Sequence, residues 1–74
     1  MARQKGDIEI GRRMIDELVR LYGTQAEAVR RFPISRHTMD NWHTGGTPGG
    51  YMLAKLHYCG GDVMYVLTGK RGDN

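Results

Sequence analysis

Apolar residues recur at steps of three and four through most of this chain, in runs that glycine or proline cuts short. Over residues 8–22, Ile10, Met14, Leu18, Leu21 and Tyr22 share one helical face, while Arg12, Arg13, Asp16, Glu17 and Arg20 take the others. Gly23 supplies the stop, because glycine tolerates the left-handed conformation at a helix end. Thr24 followed by Glu27 predicts a capping box, in which each side chain takes the other residue's free amide. The helix it opens runs to Arg31, with Ala28, Val29 and Phe32 as its apolar side, and Pro33 ends it by excluding helical geometry from the residue before it.

Ser35 is a favourable N-cap for a third helix over 35–44, in which Met39 and Trp42, three apart, face inward together. Gly45 and Gly46 stop it. Thr47 predicts the cap of a fourth helix with Pro48 in its first position, turning Met52, Leu53, Leu56 and Cys59 inward. Gly60 and Gly61 end that helix, and Asp62 caps a short last one, "VMYVL", closed by Thr68 and Gly69. Its β-branched and aromatic content also suits a strand, but a lone strand has no partner here and the caps favour helix. The expectation is an all-α fold, a compact five-helix domain over 8–69. Residues 1–7 read as a flexible polar arm and 70–74 as a polar tail or the start of a linker.

With 74 residues the chain is one domain, small enough that stability must come from close helix packing. The single Cys59 excludes an internal disulfide, and His37, His43, His57 and Cys59 lack the paired spacing of a zinc site. No metal or cofactor is therefore expected, and His43 and His57 read as surface residues. There is no apolar run of membrane-spanning length. The first residues lack the apolar core of a signal peptide. A cytoplasmic protein without membrane contact is the expectation. The net charge is +3, and eight of the eleven lysines and arginines lie at or before Arg36. A basic first half suits a polyanionic partner such as nucleic acid.

The stretch "FPISRHTMDNW" carries the candidate chemistry. Once Met39 and Trp42 anchor the third helix, Arg36, His37, Asp40 and Asn41 point away from the core. Arginine can bond guanine through two parallel donors, asparagine can bond adenine, and aspartate can accept from cytosine. Asp40 would also repel phosphate, so it either reads a base, rejects wrong sites or orients Arg36 four residues earlier. Ser35 and Thr38 suit phosphate contact or capping, and Thr24 with Gln25 suits a flanking phosphate. No catalytic arrangement is present: Ser35 and His37 diverge on a helix, and no paired carboxylates share a surface. "GGTPGG" lacks the ending of a phosphate-binding P-loop. The chain does not read as an enzyme.

The run "TQAEAVRRFPISRHTMDNW" resembles the helix-turn-helix of the lambda-repressor-like family, the Cro and phage CI repressors among them. The later run "GGDVMYVLTGKR" is similar to the last helix of CI-type N-terminal domains, so the resemblance spans roughly residues 8–71. It implies a five-helix fold that binds double-stranded operator DNA as a two-fold dimer, with the third helix in the major groove. It implies that Gln25 binds phosphate, that Arg36, His37 and Asn41 read bases, and that Asp40 lies on the same edge. It adds a phosphate contact around His43, Thr44 and Gly45. Two positions depart from the family pattern: Pro33 stands where glycine is usual in the turn, and Ala28-Val29 replaces a larger residue followed by alanine.

The expected function is transcriptional regulation as a phage or prophage repressor. The competing reading is a protein-interaction module, an antirepressor or adaptor, which should carry apolar residues on the exposed face of the third helix. RNA binding would want exposed aromatics for stacking, and Phe32 and Trp42 read as core. A homodimer could pair through Met64 and Tyr65, or through a C-terminal domain beyond this chain.

Overall fold

The computed structural model describes residues 5–32 and 34–71. Those residues form five helices: α1 (Lys5–Tyr22), α2 (Gln25–Arg31), α3 (Arg36–His43), α4 (Gly50–Tyr58) and α5 (Val63–Thr68). α1 is the hub, with α2, α3 and α5 packed against it, and α4 rests on α5. The core joins Met14, Ile15 and Leu18 of α1 to Ala28, Phe32, Met39, Trp42, Leu56 and Val66.

The predicted punctuation accounts for most boundaries. Gly23 and Gly69 take positive φ at the ends of α1 and α5. Thr24 accepts from the Glu27 amide, Ser35 from Thr38 and Asp62 from Tyr65, so three helices begin on a side-chain cap. "VMYVL" is helical. Phe32 is extended at φ −96° and ψ 143°, as a residue before proline should be. Pro33 itself lies outside the described residues, as do residues 1–4 of the expected arm and 72–74 of the tail.

Five expectations need correction. α1 starts at Lys5, not residue 8, so the helix takes in part of the expected arm. α4 is not capped by Thr47 with Pro48 first: it starts at Gly50 after an extended Gly49, with no side-chain cap bond. Pro48 is buried before the helix begins. Cys59 does not face inward; it is the exposed C-cap of α4. The capping box at α2 forms only its forward half, because the Glu27 carboxylate holds Arg30 at 2.7 Å and Arg31 at 3.3 Å.

The fifth correction is Glu17, which does not face solvent but is fully buried. Because α1 meets three partners, its buried arc is wider than one apolar stripe, and Glu17 falls on the 10–14–17–21 seam inside it. A buried carboxylate is costly unless every lone pair is engaged. Here Arg20 bonds it in a fork, Arg71 reaches Oε1 at 2.5 Å, and the Asp62 amide donates to Oε2 at 2.7 Å. Burial pushes the Glu17 pKa up, but these bonds outweigh it and bring the value from 4.5 down to about 2. Arg71 also stacks on the Tyr65 ring at 3.8 Å, so this part of the expected tail belongs to the fold. Arg13 closes the same region by donating to the Val66 and Leu67 carbonyls at the end of α5.

Candidate nucleic-acid interface

α3 is fixed from three sides. Met39 and Trp42 are buried, and the Ser35 hydroxyl accepts from the Thr38 amide at 3.1 Å to start the helix. At its end Thr44 donates its hydroxyl to the Asn41 carbonyl at 3.1 Å, and the Gly46 amide donates to the same carbonyl at 2.9 Å. The third constraint comes from α1. A methyl group on Gly11 would run into the carbonyl oxygens of Gly46 and Trp42, so only glycine lets α1 approach the end of α3 this closely. An isolated glycine inside a helical pattern was the sequence signal for this contact.

The anchored helix leaves Arg36, His37, Asp40 and Asn41 exposed. Arg36 and Asp40 form no ion pair with each other, and no side chain among the described residues engages Arg36 or His37. Arg36 and Asp40 border a small cleft with Gln25, Ala26 and Val29 of α2. The Asn41 amide lies against Gly46, where a methyl would collide with it. It therefore leans toward the C-terminal end of α3.

The expected phosphate-binding residues divide. Thr24 and Ser35 are exposed, but each hydroxyl is already accepting as a helix cap. Thr38 is half-buried with its hydroxyl 3.1 Å from that of Ser35. Gly45 is buried at φ 112°, which makes it a turn residue and a poor surface donor. Gln25 and His43 are exposed and come together across eighteen positions, His43 Nε2 lying 3.3 Å from Gln25 Oε1. Arg12 joins them from α1, its Nε donating to the His43 carbonyl at 3.2 Å. Sequence periodicity put Arg12 on a solvated face, and nothing in its spacing tied it to His43. Gln25 thus lines both the Arg12–His43 groove and the Arg36–Asp40 cleft, which meet at the start of α2.

Other chemistry is sparse. Among the described residues no group of three or more histidine, cysteine, aspartate or glutamate side chains converges as a metal site. No helix among them is long and apolar enough to cross a membrane. Among the described residues the large exposed apolar ones are Tyr51, Tyr58, Met64 and Leu67, all on α4 and α5 and none on α3. Tyr65 donates its hydroxyl to Asp16 at 3.3 Å and carries Arg71 on its ring, so it serves this chain's own packing. No protein-family model, curated protein or solved structure matches the chain.

Proposed function

We propose that the chain is a sequence-specific, double-stranded DNA-binding transcriptional regulator of the repressor type, reading bases with α3. The observation that carries this reading is the outward face of α3. Two buried anchors and three backbone constraints hold that helix, yet Arg36, His37, Asp40 and Asn41 all stand in solvent. A rigid helix presenting an unengaged arginine and an exposed asparagine matches the donors and acceptors of a major groove. Gln25 and His43 beside it supply groups for the flanking backbone, which fixes register and does not itself read sequence.

The protein-interaction alternative draws on the exposed apolar set, but that set lies on α4 and α5. It fits better with a homodimer assembled on DNA, for which Met64 and Leu67 are exposed and Tyr65 is half-buried. Nothing in the reading calls for catalysis or a cofactor. The test is gel retardation on random duplex at low salt, followed by selection of bound sequences. Salt-sensitive retention and an enriched motif are the expected results. No retention at any salt concentration would overturn the proposal.

A further inference from the structure

The geometry points to a second, sequence-blind element of the same surface: a clamp for one backbone phosphate built from Arg12, Gln25 and His43 of three different helices. It rests on the duplex-DNA reading above and joins Arg12 of α1 to the contact.

Three observations converge. First, Arg12 makes no ion pair among the described residues, whereas Arg20, Arg30, Arg31 and Arg71 each hold a carboxylate. Its Nε is spent on the His43 carbonyl, which fixes the guanidinium plane and leaves the terminal nitrogens free. Second, with Gln25 Oε1 as acceptor, the His43 imidazole must donate through Nε2. That contact orients the Gln25 amide and leaves its NH₂ group as a free donor. Third, the three side chains border one concave groove, so their donors meet a shared volume. A phosphate oxygen there would meet a guanidinium and an amide already held in place, a charge-assisted arrangement.

Glu9 and Asp16 of α1 line the same groove and repel an anion. Asp16 accepts from Tyr65, which draws its carboxylate toward α5. The anion is therefore held at the Gln25–His43 end of the groove. The adjoining Arg36–Asp40 cleft shares Gln25, so this phosphate flanks the bases that α3 reads.

The test compares wild type, Arg12→Gln, Arg12→Lys and Gln25→Ala on a selected duplex and a random duplex over a salt series, with thermal melting of each variant. Arg12→Gln should weaken both complexes by a similar factor, roughly five- to tenfold at low salt, and lower the salt slope by about one. Arg12→Lys should keep the slope. Gln25→Ala, which removes no charge, should weaken both complexes equally at an unchanged slope. Gln25 is exposed, so that variant reports even if Arg12→Gln fails to fold. An unchanged slope with loss on the selected duplex alone would mean that Arg12 merely positions α3, and would overturn the clamp. Wild-type binding with no effect of either Arg12→Gln or Gln25→Ala would overturn it too, leaving the base-reading proposal intact. Failure of the wild type to bind any duplex would overturn both.

Discussion

Glu17 and Glu27 each hold two arginines, and the two clusters are built for different ends. Glu17 is fully buried and ties α1 to the start of α5 and to Arg71, fifty-four positions away. Glu27 is about one-third exposed, and its partners Arg30 and Arg31 lie three and four residues on along the same chain. The first cluster turns charge inward and uses it to join distant segments. The second neutralises charge locally on one face of α2 and holds nothing else together. Between them, Arg12 and Arg36 have no carboxylate partner among the described residues at the surface where α1, α2 and α3 meet. The fold engages Arg20 and Arg71 where α5 and the following segment must be held, and leaves Arg12 and Arg36 unpaired with carboxylates among the described residues at the proposed DNA-facing side.

Breaking the buried cluster should have the largest effect. Glu17→Ala removes the common acceptor of Arg20, Arg71 and the Asp62 amide, and should cost about 3 kcal/mol in urea unfolding, within the range for a broken buried pair. The same cluster predicts an acid transition. Glu17 has a folded pKa of about 2 against an ordinary 4.5, so the unfolded chain binds more protons between those values. Its contribution is fully present above pH 4.5 and is lost as pH falls toward 2, with a maximum of about 3 kcal/mol. Unfolding free energies measured across that window should fall more steeply for wild type than for Glu17→Gln, which lacks the titrating group.

A smaller loss is expected where α1 meets α3. Gly11→Ala would press a methyl onto backbone oxygens that cannot move independently, costing about 1–3 kcal/mol by overpacking. Since the displaced element is α3, discrimination between selected and random duplex should decline with the melting temperature. An unchanged melting temperature would show that α3 can shift freely away from α1. The smallest effect belongs to the exposed cluster. Glu27→Gln should change stability by about 0.5 kcal/mol or less, since exposed pairs contribute little. A loss comparable with that of Glu17→Ala would erase the distinction between the two regions.

The helices were legible because their signals are local. Thr24, Ser35 and Asp62 cap what they were expected to cap, and Gly23 and Gly69 stop what they were expected to stop. Met39 and Trp42 were legible as anchors from their spacing alone. What escaped was set by tertiary neighbours. Glu17 lies at the edge of the apolar stripe and reads as solvated until α5 and Arg71 arrive to bond it. Arg12 reads as one more exposed cation until the end of α3 falls beside it. The misplaced start of α4 has a local cause: Thr47-Pro48 is a good helix-opening pair, but Pro48 is buried ahead of the helix and Gly49 serves as the cap. Four exposed residues on α3 could be named from sequence. The lean of Asn41 toward Gly46 could not, because it depends on the path of the chain after the helix.

The central claim is that the exposed face of α3 reads bases, and Arg36 tests it most directly. Equilibrium titration of wild type and Arg36→Ala on a selected duplex and on random duplex, at matched salt, gives four affinities. The predicted result is a loss of about 1–3 kcal/mol on the selected duplex and a much smaller one on random DNA. Equal losses on both would make Arg36 a phosphate contact, and wild-type affinity that does not distinguish the two duplexes would contradict base reading by α3 altogether.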